Sequence, residues 1–182
     1  YLAALIDATR GDATAFAPVE RPLRPLLARL RAQAEALAAC GGAQVAWSEG
    51  AGLPEALQMD EALVERAVMN VVANAVEHAP ADSTVEVRVR ADGAADAGGV
   101  LAVSVADAGP GFSPEALERG CERFYQGDPA RAVRGHRGLG LHVAAEAAAR
   151  HGGPVELANR EDADGGACVT LRIPLGSGRE FS

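Results

Sequence analysis

Lysine is absent from this chain of 182 residues, because all 17 of its basic residues are arginine. This absence excludes a Walker A loop, whose Gly-Lys pair reaches the phosphates of a nucleotide. The arginines are outnumbered by 25 acidic residues, so the formal net charge is −8. Nonspecific binding to nucleic acid or to an anionic membrane needs clustered cations, and this balance disfavours both. A local basic loop that binds phosphates is still compatible with it.

Cysteine is scarce as well, with three widely spaced residues and no CxxC pair. This pattern predicts free thiols in a reducing compartment and argues against a disulfide framework or a zinc site. No apolar run approaches the roughly 20 residues of a membrane-spanning helix. The chain begins at Tyr1 without a basic start or a cleavage site, so we expect a fragment of a longer protein without a signal peptide.

The remaining composition, 48% hydrophobic and 23% charged, is typical of one globular domain with its own core. Apolar periodicity predicts helices packed on one face of a mixed sheet, which is a two-layer α/β sandwich. The glycine- and proline-rich residues 107–137 are predicted to form one long loop. The predicted helices cover 22–40, 60–79 and 138–151, the predicted strands cover 44–48, 84–90, 100–106, 155–159 and 167–174, and 11–22 is a predicted linker.

One face of the predicted helix 60–79 carries a row of polar side chains. Asn70, Asn74 and His78 are each four residues apart, so they share this face. Glu77 lies close to the same line. An Asn carbonyl oxygen is a suitable ligand for Mg²⁺, which prefers few protein oxygens together with water and phosphate. Taken alone, this pattern is explained more simply by a solvated polar face.

A second motif follows the predicted strand 100–106 directly, where Asp107 begins an Asp-Ala-Gly-Pro-Gly-Phe run. An Asp with two glycines at the end of a strand is often only a turn. The functional interpretation is that the carboxylate accepts a hydrogen bond from the amino group of a base. The glycines Gly109 and Gly111 would then let the backbone approach that ligand closely.

A third motif, Gly-Leu-Gly-Leu at residues 138–141, opens a predicted helix. The free amides of a helix N-terminus suit phosphate oxygens, and glycines permit a close approach. A Rossmann fingerprint is excluded by context, because that motif follows a strand directly and here a polar loop rich in arginine precedes it. A flexible loop that enters a helix is the competing interpretation of this motif alone.

Taken together and in this order, the motifs resemble the GHKL ATPase and kinase superfamily, and within it the catalytic, ATP-binding (HATPase) domain of sensor histidine kinases. The resemblance extends over residues 20–175. It implies the Bergerat fold, a two-layer α/β sandwich with helices on one face of a mixed sheet and a long flexible ATP lid at residues 109–137. The matching segments are the N box at 70–75, the first glycine box at 107–112, the F box at 122–125 and the second glycine box at 138–141.

The resemblance also implies a role for each matched residue. Asn74 would hold the Mg²⁺ that bridges the ATP phosphates, Asp107 would bind the adenine amino group, and Phe124 would anchor the lid. The further residues implied beside the base, the phosphates or the lid are Gly109, Gly111, Glu77, His78, Tyr125, Arg134, Arg137, Gly138, Leu139, Gly140 and Leu141.

Asn70 bears on the reaction that the resemblance implies. Hydrolytic members of the superfamily carry a Glu four residues before the magnesium Asn, and an amide cannot replace it as a general base. We therefore expect a protein-histidine kinase that donates the γ-phosphoryl group to a histidine of another domain. The acceptor is absent, because none of the histidines His78, His136, His142 and His151 lies in a His-Glu-x-x-x-Pro context.

The resemblance further implies how this fragment relates to its parent. Residues 1–19 would be the tail of a dimerisation helix and its linker, residues 20–178 the catalytic domain, and residues 179–182 a C-terminal tail. The expected partners are the histidine-containing dimerisation domain of the same protein and a downstream response regulator. The parent would be a homodimer anchored in the inner membrane, and this fragment a cytoplasmic monomer without nucleic-acid or membrane contacts.

Two departures from the family pattern keep alternatives open. Glu77 stands where the N box usually has Lys or Arg, and Gln126 stands where Arg often follows the F box. Arg131, Arg134 and Arg137 in the lid would compensate, since guanidinium groups bind phosphate well, and the competing interpretation is that they are a mobile solvated run. The alternatives are a degenerate nucleotide-binding interaction module and a serine kinase of the anti-sigma-factor type. A hydrolytic ATPase ranks last because of Asn70.

Overall fold

The computed structural model of the chain describes residues 16–93, 98–123, 125, 139–161 and 165–175. Within these residues the secondary structure is a mixture of helices and strands, as the sequence predicts. The helices are α1 (Leu23–Gly41), α2 (Glu61–His78), α3 (Pro114–Arg119) and α4 (Gly140–Arg150). The strands are β1 (Val19–Pro22), β2 (Gln44–Glu49), β3 (Ala56–Met59), β4 (Thr84–Asp92), β5 (Val100–Ala106), β6 (Val155–Asn159) and β7 (Ala167–Pro174).

The main sheet has five strands in the order β2-β4-β5-β7-β6. Strand β2 runs parallel to β4, and the other neighbouring strands are antiparallel, so the sheet is mixed. Alternate residues of the central strands are buried, and the α1, α2 and α4 helices pack on that face. The predicted two-layer α/β sandwich is therefore confirmed. The inward residues are Val85, Val87 and Val89 of β4, Leu101, Val103 and Val105 of β5, and Val169, Leu171 and Ile173 of β7.

Helix α2 has the boundaries that its sequence predicts to within one residue. Its N-cap is Asp60, whose side chain accepts a hydrogen bond from the amide of Leu63 at 3.2 Å. It ends before Pro80, because proline cannot continue the hydrogen-bonded ladder. One stripe of the helix is buried against the sheet and leaves the polar face with Asn70 and Asn74 half-buried. The buried stripe consists of Val64, Ala67, Val68, Val71, Val72 and Ala75.

Two regions differ from the prediction. The interpretation of residues 11–22 as a linker misses β1, which pairs antiparallel with β3 in a separate two-stranded sheet. The interpretation of residues 107–137 as one long loop is wrong at α3, which Ser113 caps by accepting a hydrogen bond from Ala116 at 3.1 Å. A Ser-Pro pair at the N-cap and first helical position favours such a start, but six residues are too few to show apolar periodicity.

Other expectations concern the lid and the membrane. Residues 124 and 126–137 of the predicted lid lie outside the described residues, so its flexibility stays a prediction. Helix α4 begins at Gly140, two residues later than predicted, and residue 138 is also outside the described part. Among the described residues, each helix is too short or too polar to cross a membrane.

Candidate functional site

Asp107 lies at the end of β5. Among the described residues it is the one charged residue that is buried, with 3% of its surface exposed. Its Oδ1 atom accepts hydrogen bonds from the amides of Gly109 at 2.8 Å and Ala167 at 3.4 Å. Within the described part of the chain, no hydrogen bond reaches Oδ2. Among the described residues, the buried side-chain atoms without a hydrogen-bond partner do not include Oδ2, so this oxygen reaches solvent and is available to a ligand that supplies a donor.

Gly109 brings this turn against the C-terminal end of α2. A methyl group in place of its hydrogen would lie 2.5 Å from the carbonyl oxygen of His78 and 2.8 Å from Oδ1 of Asp107. Only glycine permits this approach of the backbone. The turn and the helix end therefore meet, while the side chains of Glu77 and His78 are exposed beside them.

Gly111 is held by a residue that the sequence analysis did not identify. Gly111 has φ +75°, in the left-handed region, and an added Cβ would lie 2.8 Å from Oδ1 of Asn159. That Oδ1 atom accepts a hydrogen bond from the amide of Phe112 at 2.6 Å, and Nδ2 of Asn159 donates to the carbonyl of Phe112 at 2.9 Å. Asn159, the last residue of β6, thus holds the turn by hydrogen bonds to both the amide and the carbonyl of Phe112.

Gly166 is the second residue that sequence reasoning missed. It precedes β7 with φ +111°, and an added Cβ would overlap the carbonyl oxygen of Asp107. Its carbonyl accepts a hydrogen bond from the amide of Arg160 at 2.9 Å. The Gly-Gly pair before a predicted strand is a turn signal, but the packing against Asp107 depends on the β5–β7 pairing, which connects distant parts of the chain.

The start of α4 lies against the middle of α2. An added Cβ on Gly140 would lie 3.7 Å from the backbone oxygen of Asn70 and 3.9 Å from its Oδ1. Leu139 at the N-cap makes no side-chain hydrogen bond, and the first turn of α4 contains no acidic residue. Within the part of the chain that the structure describes, the first amides of this helix therefore lack a side-chain cap, and no acidic residue of its first turn offsets the positive end of its dipole. Such an end favours an anion.

Asn74 lies one turn after Asn70 on the same face of α2 and is half-buried. Among the described residues there is no cluster of three His, Cys, Asp or Glu that could hold a metal. An amide oxygen alone does not bind Mg²⁺ tightly, but this ion is often bound by one or two protein oxygens plus substrate phosphates. The donor set therefore fits Mg²⁺ that arrives together with a phosphate ligand.

Tyr125 lies beside α3, where its ring faces the guanidinium of Arg119 at 5.4 Å. Its amide donates to the carbonyl of Glu122 at 3.2 Å. The carbonyl of Cys121 lies 3.1 Å from Nδ1 of His142, so this segment is tied to α4. His142 is therefore a packing residue.

The predicted site residues divide into those that the structure brings together and those that it does not describe. Asp107, Gly109 and the end of α2 form one group, and Asn70 and Gly140 form a second. Leu141 packs against the core. Phe124, Arg134, Arg137 and Gly138 lie outside the described residues, so their roles stay predictions.

Comparison with known proteins gives matches over most of the chain. The family described as histidine kinase-, DNA gyrase B-, and HSP90-like ATPase matches residues 59–177. Sensor histidine kinase SpaK of Bacillus subtilis is 36% identical over 118 residues, which are 65% of this chain and 24% of that protein. Sensor histidine kinase MtrB of Mycobacterium tuberculosis is 36% identical over 126 residues, or 69% and 21% of the two chains. The chain thus spans about a quarter of the length of these relatives.

Solved structures show the same fold. Full-length ShkA in complex with AMPPNP has a TM-score of 0.71 and 27% identity, over 91% of this chain and 33% of that chain. The catalytic domain of histidine kinase ThkA has a TM-score of 0.71 and 20% identity, over 88% of this chain and 99% of that chain. The second likeness concerns the fold alone.

Proposed function

We propose that this chain, which belongs to the histidine kinase-, DNA gyrase B- and HSP90-like ATPase family, binds ATP between Asp107 and the start of α4. The observation that carries this proposal is the buried Asp107, whose Oδ1 is held by two backbone amides while Oδ2 is left to a ligand. The amino group of adenine would donate a hydrogen bond to Oδ2. Gly109 and Gly111 give the base room beside the turn.

The phosphates would lie at the other end of this site. The uncapped amides of α4 and the backbone near Leu139, Gly140 and Leu141 would bind phosphate oxygens. When bound, Mg²⁺ neutralises charge on the phosphates, and Asn74 is the residue that would hold it. Arg134, Arg137 and Gly138 are proposed to complete the phosphate contacts, with Phe124 and Tyr125 at the lid.

We further propose that the parent protein is a histidine kinase and that this domain donates the γ-phosphoryl group to a separate domain. A neutral imidazole nitrogen of the acceptor would form the new N–P bond while the bond from the γ-phosphorus to the bridging oxygen breaks, and ADP would leave with that electron pair. Asn70 supports transfer over hydrolysis, because an amide does not activate water. The parent would be a dimeric, membrane-anchored sensor that signals to a response regulator.

The histidines of the described residues support an acceptor on another domain. His151 uses both ring nitrogens, and His142 uses Nδ1, in hydrogen bonds within this domain. His78 is exposed at the end of α2, beside the proposed base site. The proposed division at residues 19 and 178 would place the acceptor before this fragment.

The proposal is tested by calorimetric titration of the chain with ATP and MgCl₂, using Asp107→Asn. The two backbone amides hold an oxygen at the Oδ1 position, so the new NH₂ group must occupy the Oδ2 position. At that position the NH₂ group of Asn faces the adenine amino group, and two donors cannot form a hydrogen bond with each other. We expect binding to fall at least about a hundredfold, because a buried donor is left without an acceptor.

Asp82→Asn is the matched control, since Asp82 is exposed in a turn with φ +60°, which Asn tolerates. It should bind ATP as the unmodified chain does. An unmodified chain that does not bind ATP would contradict the proposed function and favour a degenerate interaction module. Equal binding by Asp107→Asn would place the base elsewhere.

A further inference from the structure

His151 follows the last residue of α4 and makes hydrogen bonds with both of its ring nitrogens. Nδ1 lies 2.7 Å from the carbonyl oxygen of Ala147, and Nε2 lies 3.0 Å from the amide nitrogen of Asp60. Because a carbonyl oxygen only accepts, Nδ1 carries the hydrogen and Nε2 is the acceptor. One neutral tautomer therefore joins the end of α4 to the N-cap of α2.

The chain that enters the domain is attached at the same point. The ring of Phe16 packs edge-on against the imidazole of His151, with centroids 5.0 Å apart and an interplanar angle of 90°. The amide of Ala17 donates to Oδ2 of Asp60 at 3.4 Å, while Oδ1 of Asp60 caps α2. Three segments that are distant in sequence thus meet at His151 and Asp60.

This junction and the proposed phosphate site lie at the two ends of α4, which packs along the first half of α2. The start of α4 lies over Asn70, and its end lies at Asp60, so α2 and α4 are antiparallel. The two contacts are about 15 Å apart along α2 and about 16 Å apart along α4, at 1.5 Å per residue. The distance between the contacts is therefore nearly the same on both helices.

Apart from Leu141, which packs against the core, α4 presents only small fully buried side chains between these contacts. Its buried residues are Ala144, Ala147 and Ala148, and small side chains form shallow ridges. A polar contact with a defined direction is better suited to set the register of such a smooth pair. The bond between Nε2 of His151 and the amide of Asp60 has that direction.

We infer that His151 is a positioning residue of the nucleotide site. By fixing the register of α4 on α2, it holds the first turn of α4 in place over Asn70. Through Phe16 and Ala17 it also links that register to the chain that enters the domain. This inference rests on the proposed function, because it concerns the phosphate end of that site.

The test compares binding of ATP with MgCl₂ and binding of adenosine by the full chain, using His151→Phe. Phenylalanine keeps a ring against Phe16 but removes both hydrogen bonds. We expect the dissociation constant of ATP to rise about tenfold, because a shifted α4 misplaces its amides for the phosphates. Adenosine contacts the Asp107 end and should bind within about twofold of the unmodified chain.

Two further variants serve as rescue and control. His151→Gln offers an amide oxygen to Asp60 and should recover most of the ATP affinity. Glu146→Ala removes the surface ion pair with Arg150 from the same helix and should bind both ligands normally. Equal loss of ATP and adenosine in His151→Phe would reduce His151 to a structural residue and overturn the inference, as would unchanged binding of both.

Hydrogen exchange separates failure of this inference from failure of the proposed function. We expect His151→Phe, without nucleotide, to exchange faster at the amide of Val143, which donates to the carbonyl of Leu139 at 2.9 Å and closes the first turn of α4, and Glu146→Ala not to do so. This result would support the register role even if the unmodified chain bound no ATP. Unchanged exchange at the Val143 amide would contradict it.

Discussion

The two ends of the proposed nucleotide site are built in different ways. At the base end, Asp107 is buried, two backbone amides orient it, and Asn159 holds the following turn through two hydrogen bonds. At the phosphate end, the first turn of α4 is uncapped and the side chains of Asn70 and Asn74 are only half-buried. The base end is thus organised before a ligand binds, whereas the phosphate end presents groups that a ligand would satisfy.

The difference follows from the strength of the interactions that each end would make with its part of the nucleotide. An amino group offers one neutral hydrogen bond, so its acceptor must be held in place to be selective. A triphosphate with Mg²⁺ brings several charges and oxygens, which form strong bonds with loosely placed donors. We therefore expect changes at the base end to affect folding and binding together, and changes at the phosphate end to affect binding alone.

The largest expected contrast is between Gly109→Ala and Gly140→Ala. The new methyl group at residue 109 would lie 2.5 Å from the carbonyl oxygen of His78, so backbone must move. We expect a loss of about 1–3 kcal/mol in the free energy of unfolding. At residue 140 the nearest atom is 3.7 Å away, which is ordinary contact. There the unfolding free energy should change by less than about 1 kcal/mol, while ATP affinity falls.

Denaturant unfolding and calorimetric ATP titration of both variants measure this contrast. If Gly140→Ala destabilises the chain as much as Gly109→Ala does, the two ends do not differ in the way described. If Gly140→Ala leaves ATP affinity unchanged, the phosphate contacts do not depend on backbone access at residue 140.

A smaller effect is expected for Asn159→Ala. The substitution removes two hydrogen bonds to Phe112, and because the side chain is exposed we expect a net loss of about 1 kcal/mol in unfolding free energy. ATP affinity should fall about fivefold as the turn at Gly111 loosens. Calorimetry and denaturant unfolding report both quantities. The control Gln58→Ala, which truncates an exposed amide of β3, should change neither.

The smallest expected effect concerns Cys121, next to α3. Burial raises the pKa of the Cys121 thiol above its ordinary value, because it disfavours the thiolate. Cys40 is exposed. Alkylation by iodoacetamide from neutral to alkaline pH should therefore modify Cys40 first and Cys121 only at higher pH, as followed by peptide mass spectrometry. Equal rates at neutral pH would show that burial does not control this thiol.

The sign of the linked stability effect follows from the same pKa shift. The folded-state pKa of Cys121 lies above the unfolded one, so the unfolded chain releases its proton first as pH rises. The contribution of Cys121 to stability is therefore complete below the ordinary thiol pKa and decreases through the alkaline range. Cys121→Ser should remove that alkaline decrease and leave the neutral region without this dependence.

Much of the fold was predictable from local patterns. The helix α2, its Asp60 N-cap and its end before Pro80 follow from apolar periodicity and helix-stop signals, and the structure confirms them. The short α3 and the β1–β3 pair were missed. Six residues show no period, and β1 is stabilised by a strand that lies more than thirty residues later in the chain. Neither a helix this short nor a pairing between distant strands leaves a clear pattern in a short stretch of sequence.

The sequence by itself determined which residues we propose for the site, because Asp107, Asn70, Asn74 and the glycines stand in recognisable local motifs. Only the tertiary structure decided which oxygen of Asp107 is left for a ligand, since the β5–β7 pairing supplies the Ala167 amide that holds Oδ1. It likewise decided the partners of Asn159 and His151. Each of these contacts joins segments at least forty residues apart, and such contacts depend on how helices and strands pack rather than on local sequence.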